Sequence, residues 1–216
     1  AFMNAYDPNT VFSSIDSQGR YAFSNQPNMA YWNLTVFANA ILPLIDAKQE
    51  VAAEKAQNIL DRFPKEYAKG HFNMMYDKFG IVHPAPEDRE LINQGLKLLQ
   101  THQVDYTNFF TGLRRGGDDI LKLKQNNDFK SWFLNWEKAQ KRNSSVAESN
   151  DLMAKTNPVI IPRNHLVEEA LDAAIAGNMD PFHELLGSLA SPYDDSLAMQ
   201  EVPVEFDEQY QTFCGT

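Results

Sequence analysis

The chain has 216 residues, room for one sizeable core or two small helical subdomains, and its 43% hydrophobic and 22% charged content is that of an ordinary folded protein. A formal net charge of −10 argues against a binder of bulk DNA or RNA and against docking on anionic membranes, since both need a cationic surface. One cysteine, Cys214, excludes an intrachain disulfide and makes a reducing, cytoplasmic location the expectation.

No apolar run approaches the ~20 residues of a transmembrane helix. The start, Ala1-Phe2-Met3-Asn4, has neither the basic flank nor the apolar stretch of a signal peptide. Position 1 is not methionine, so the expectation is a piece cut from a longer chain.

Residues 1–26 are rich in Asp, Asn, Ser and Gly and show no sustained period, which predicts an extended, loop-like segment. Phe2, Tyr6, Val11, Phe12, Tyr21 and Phe23 predict that it lies against a body rather than in solvent. Pro27 suits a first helical turn. From there Met29, Trp32, Val36, Phe37, Ala40, Ile41 and Leu44 form one apolar stripe at helical spacing, and Pro43 ends or kinks that helix. A second helix is predicted from about Ala47 to Phe63, with Val51, Ala52, Ile59, Leu60 and Phe63 inward. A third follows Pro64 and stops at Gly80.

Ile81 to Pro86 reads as a connector. Glu87 and Asp88 then open a helix whose buried face is Leu91, Ile92, Leu96 and Leu99. Asp105 is the N-cap of a short helix carrying Phe109, Phe110 and Leu113, interrupted at Gly116-Gly117. Phe129, Trp132, Phe133 and Trp136 make the most aromatic stripe, read as core rather than as a stacking platform. Asn143 to Ser149 is predicted as a loop, and Asn157 to Pro162 as extended. Helices are expected from Asn164 to about Gly177 and from the cap pair Asp180-Pro181 through Leu189, with an irregular tail from Ser191. Ile81-Val82 and Val159-Ile161 are the only strand-like runs, and both are too short to build a sheet. The fold class expected is therefore all-α.

The search for chemistry returns no catalytic set and no metal set. His183-Glu184-Leu185-Leu186-Gly187 lacks the second histidine of a zinc-protease helix, and His165 with Glu168 and Glu169 reads as a solvated helix face. Gly116-Gly117 after Arg114-Arg115 is a polar turn, without the lysine and hydroxyl residue of a phosphate loop. Cys214, third from the end, is read as an inert tail thiol, the alternative being a thiol that reaches a partner or a metal.

Several stretches carry a resemblance. Phe2-Met3-Asn4-Ala5-Tyr6-Asp7-Pro8 is followed by Gly19-Arg20-Tyr21-Ala22-Phe23, Asn25-Gln26-Pro27, Trp32-Asn33-Leu34 and Leu42-Pro43-Leu44-Ile45. Thinner matches are Asp105-Tyr106-Thr107 with Phe109-Phe110, Asn157-Pro158 with Arg163-Asn164, Pro192-Tyr193-Asp194, and the end Cys214-Gly215-Thr216. Together they resemble the selenoprotein O (YdiU) family, kinase-like in fold and described as moving AMP from ATP to protein hydroxyls.

The resemblance implies an irregular helical array like a protein-kinase C-lobe with a C-terminal helical extension. It divides the chain into an extended activation-segment-like region at 1–28, a helical body at 29–190 and an irregular tail at 191–216. It places the family's catalytic Asp-Asn pair, metal-binding Asp and nucleotide-binding cations upstream of Ala1, so no catalytic residue, metal site or cofactor is expected within this segment. ATP and Mg or Mn belong to the full-length parent. Arg20 and Gln26 are its candidates for ordering the loop or contacting a protein substrate, beside the plainer reading that they only bond loop backbone. A family cysteine able to pair with the C-terminal one falls at Phe12 here, so a redox clamp through Cys214 within the segment is lost. The partners implied are the missing upstream kinase-like lobe and the parent's protein substrates. Apolar patches near residues 1–45 are expected to be exposed, with self-association as one way to cover them. The alternative is a non-enzymatic helical scaffold that binds proteins.

Overall fold

The computed structural model describes residues 2–203 together with Phe206 and Tyr210. Among these, ten α-helices follow a single 3-10 turn at Phe23–Asn25, and the only β pairing is an isolated antiparallel bridge between Ala5 and Asp105. The helices are α1 (Gln26–Ile45), α2 (Gln49–Leu60), α3 (Phe63–Lys78), α4 (Asp88–Thr101), α5 (Tyr106–Arg115), α6 (Asp118–Gln125), α7 (Asn127–Gln140), α8 (Val146–Thr156), α9 (Asn164–Ile175) and α10 (Asp180–Leu189).

The core lies where α3, α4, α5, α7 and α8 converge. Phe79, Phe109, Phe110, Trp132, Phe133 and Trp136 are all buried there, with ring centroids 4.9 Å apart for Phe79–Phe110 and 5.8 Å for Phe79–Trp132. Both buried indoles are satisfied: Trp132 donates to the Leu91 carbonyl at 2.8 Å and Trp136 to the Phe79 carbonyl at 2.9 Å. Gly95 makes the first contact possible, because a Cβ there would stand 2.7 Å from the Trp132 ring. Gly80 adopts φ 67°, a left-handed turn after α3, and its carbonyl accepts from the buried Ser149 hydroxyl at 2.7 Å.

The all-α class holds for the described residues, but the finer architecture expected from the resemblance needs correction. The N-terminal segment is not extended. It is wound into successive turns, with Thr10 N–H donating to Asp7 O, Asp16 to Ser13 O, Gly19 to Asp16 O, Ala22 to Gly19 O and Asn25 to Ala22 O. The Asp16 carboxylate accepts from the backbone N–H groups of Arg20 and Tyr21, both at 2.8 Å, and Gly19 supplies a φ of 64°. The Asp, Ser and Gly residues that left the segment without a period are turn formers, and they close turns here. A helical array that starts from a turn-wound segment gives no ground for the kinase-like lobe with an extended activation loop, and the all-α class alone is kept.

Other differences have local causes. Pro43 does not end α1, which runs on to Ile45; so near the C-terminus proline removes little of the hydrogen-bond ladder. The predicted 143–149 loop hides the start of α8. Ser145 accepts from Glu148 N–H while Glu148 reaches back to Ser145 N–H at 2.8 Å, a reciprocal cap written in the sequence as Ser-Val-Ala-Glu. Asp88 stands in the first turn of α4 as expected and is buried there, accepting from Ala85 N–H at 2.6 Å and from Arg142 at 2.5 and 3.1 Å. The short α6 was not predicted at all; it follows Gly116 and Gly117, whose φ values are 75° and 126°.

The exposed apolar surface expected near residues 1–45 is carried by α1: no residue of the helix is buried, and Trp32, Val36, Phe37 and Leu44 are 50%, 48%, 60% and 86% exposed. Ile59 of α2, expected inward, is 68% exposed.

Candidate functional site

The stretches that carry the family resemblance are scattered over the sequence, and the fold brings them together. Asp105 caps α5 by accepting from Asn108 N–H at 2.7 Å. The same carboxylate receives both terminal nitrogens of Arg163, at 2.7 and 3.1 Å. Arg163 is fully buried and also donates to Asn4 Oδ1 at 2.6 Å and to Asn108 Oδ1 at 3.0 Å. One guanidinium thus joins the first residues, the start of α5 and the start of α9. Backbone bonds reinforce it: Tyr6 N–H donates to Val104 O and Tyr106 N–H to Asn4 O, at 3.0 and 2.8 Å. Asn164 adds a side-chain bond to the Phe2 carbonyl at 3.2 Å, and Val159 N–H donates to Pro192 O at 2.8 Å.

Beside this clasp lies a crevice at the end of α3. Two cavities, of about 320 and 630 Å³, share Phe23, Gln26, Lys78 and Tyr106 and so meet at the lysine. Lys78 donates to Asn157 Oδ1 at 2.9 Å, and the Asn157 amide is itself fixed by donating to the Lys78 carbonyl, also at 2.9 Å. The ammonium lies 4.4 Å from the Phe110 ring centroid and 5.2 Å from that of Tyr106. No carboxylate of the described residues stands within ion-pair distance of it. Burial pulls Lys78 down to about 8. Burial first, then the neighbouring Tyr6, holds the Tyr106 hydroxyl well above the usual tyrosine range.

A pH dependence follows. Between pH 8 and ~10.4 an unfolded chain still binds the Lys78 proton while the folded chain has lost it, so stability rises with pH across that window. Of the other groups around the crevice, burial lowers His71 and raises Asp77, neither of which enters this window, and raises Tyr6 and Tyr106. The raised tyrosines act with the opposite sign above pH ~10, where the unfolded chain releases protons that the folded chain keeps. Urea midpoints measured from pH 7.5 to 10 are expected to climb, and the climb is expected to vanish in Lys78→Met.

Of the residues singled out from sequence, Gln26 lines both cavities. Arg20 is exposed, its guanidinium 4.9 Å from the Trp32 ring centroid and 5.7 Å from that of Tyr21. Cys214 lies outside the described residues. Phe12 lines the smaller cavity. Arg114 and Arg115 are both held by Asp195, whose carboxyl they keep well below the usual range. His165 is buried, with its ring 5.4 Å from that of Phe206, and so departs from the solvated face expected, whereas Glu168 and Glu169 are exposed, Glu168 accepting from the Tyr210 hydroxyl at 2.7 Å. Among the described residues no group of three or more His, Cys, Asp or Glu is placed to hold a metal ion, and no helix is long and apolar enough to cross a membrane. Lys78 escaped the sequence reading because a lysine closing a helix ordinarily faces water; only its place between Phe72 and Phe79 hinted otherwise.

Comparison with known proteins agrees with the pattern of these stretches. A family model described as "Protein adenylyltransferase SelO" matches residues 1–190. A "Protein nucleotidyltransferase YdiU" of Clostridium botulinum (strain Alaska E43 / Type E3) is 43% identical over all of this chain and 45% of its own length. Proteins of the same name from Pelagibacter ubique and Geobacillus kaustophilus are 40% and 41% identical, again over all of this chain and 46% of theirs. The chain therefore spans about half the length of the curated relatives it matches, and over that span it belongs to the protein adenylyltransferase SelO family.

Proposed function

We propose that this chain is the C-terminal half of a protein adenylyltransferase that moves AMP from ATP to Ser, Thr or Tyr hydroxyls of other proteins, and that it supplies the helical support rather than the nucleotide site. The observation that carries this reading is α1. Twenty consecutive residues contain no charged side chain, yet the helix buries none of them. Together with α2 it frames a groove of about 440 Å³ walled by Leu34, Phe37, Ile41, Ile59 and Leu60. A helix apolar this far round is made to be covered. The remainder of the parent, which this reading places upstream, is the proposed cover, and in its absence a second copy of the chain is the next candidate.

The parent's cofactors in this reading are ATP with Mg or Mn. The described residues of this chain do not fit them. The described carboxylates form no metal cluster, and the paired arginines are already committed to Asp195. No step of nucleotide transfer is assigned to residues of this chain; in the proposal they hold the shape against which the upstream half closes.

The test uses labelled ATP with Mg or Mn and a generic protein acceptor. The 216-residue chain alone is expected to bind no ATP by calorimetry and to transfer no label. The parent, with the upstream half restored, is expected to do both. Saturable, near-equimolar ATP binding by this chain alone sinks the proposal. A parent that neither binds nor transfers makes the fold a non-enzymatic scaffold, with the α1–α2 groove as its protein-binding surface.

A further inference from the structure

We propose that the crevice around Lys78 is a binding site for an organic monocarboxylate with an apolar tail, the carboxylate paired with the Lys78 ammonium and the tail laid among Phe2, Phe23, Phe110, Pro158 and Ile161. The argument is independent of the nucleotide-transfer reading.

A charge withdrawn from water ordinarily has an opposite charge beside it. Lys78 has none among the described residues. Of its three donors one is committed to Asn157, and the two rings on which the ammonium rests offer only their faces. Asn157 cannot turn away to release the lysine, because its own amide is tied to the Lys78 carbonyl. The ammonium is thus fixed in direction as well as half-buried, with two donors to give. Preorganisation of that kind favours an anion, which would form charge-assisted hydrogen bonds in a place poor in water.

The walls define the rest of the ligand. The smaller cavity, about 320 Å³, is lined mainly by aromatic and aliphatic side chains, with Gln26 and Thr107 as polar neighbours. Such a ratio of apolar wall to a few convergent polar groups, at that volume, is the usual make-up of a small-molecule pocket. A phosphate or sulfate would find one cation, a few neutral polar groups and otherwise hydrocarbon. A carboxylate carrying six to eight carbons satisfies the lysine and fills the apolar space at once.

Octanoate, octanol and octylammonium chloride, each titrated into the 216-residue chain at pH 7 by calorimetry, separate the outcomes. Octanoate is expected to bind at one site, and octanol to bind weaker by about tenfold or more, the worth of one charge-assisted hydrogen bond. Octylammonium is expected not to bind. Lys78→Met is expected to erase the preference for octanoate over octanol while melting no lower than the parent chain. Acetylation of Lys78 by an N-hydroxysuccinimide ester is expected to slow in octanoate and not in octanol. The proposal is overturned by equal affinities for octanoate and octanol on the unaltered chain, by absence of octanoate binding at millimolar concentration, or by a Lys78→Met variant that keeps the preference. The comparison of the two ligands on the unaltered chain stands even if the variant does not fold.

Discussion

Arg163→Ala is expected to lower the stability of this chain by about 3 kcal/mol, with a fall in melting temperature of about 6–12 °C. The side chain is fully buried and gives four hydrogen bonds, two to Asp105 and one each to Asn4 and Asn108. Its removal takes a donor from acceptors on three residues and leaves Asp105 without its counter-ion. The cost falls at the low end of the 3–5 kcal/mol typical of a broken buried pair, because the Asp105 side chain keeps 21% of its surface in water and can be partly rehydrated. Urea midpoints supply the number. Hydrogen exchange supplies the location: the amides of Tyr6 and Tyr106, which bond across the bridge, are expected to lose protection before those of α7. A loss under about 1 kcal/mol with both amides still protected would mean that the backbone bridge alone holds the first residues in place.

Phe79→Ala is expected to cost about 3–5 kcal/mol, because a fully buried ring is replaced by a void that the surrounding rings cannot fill. Phe79 is the ring shared by Phe109, Phe110 and Trp132, so the void opens between α5 and α7 rather than at the edge of the core. Its carbonyl still accepts from Trp136 after the substitution, which isolates the packing loss from any hydrogen-bond loss. Phe79→Leu keeps most of the volume and is expected to cost less than about 1.5 kcal/mol. Equal losses for the two variants would show that ring shape rather than filled volume decides the packing at this point.

How much of this was readable from the sequence depended on whether an element's partners were present in it. The stripe Phe129, Trp132, Phe133 and Trp136 announced a buried face, and the structure buries all four, because their partners on α3, α4 and α5 lie within the same 216 residues. The stripe on α1 had the same periodicity and stayed exposed. Spacing reports that a face is apolar, not what lies opposite it. Capping was written locally and was legible in part: Asp105 was found, while Ser145 with Glu148 was passed over though its signal was as plain. The clasp was legible as words and not as a place. Asn4, Asp105 and Arg163 each belonged to a recognised stretch, but nothing in one dimension says that a single arginine joins them. The Lys78 crevice was invisible for the same reason, since burial of a lysine depends on residues up to 79 positions away.

The clasp also imposes a schedule. Asn4 and Arg163 are 159 residues apart. At ~5–20 residues per second, roughly 8–30 seconds of ribosome time separate their synthesis. Over that interval the first residues of this chain have α1 beside them but no anchor. Closure is a late event that reports the arrival of the start of α9, so a nascent chain halted before position 163 would add a loose start to an apolar helix that these residues leave uncovered even when complete, the combination that chaperones bind and proteases cut.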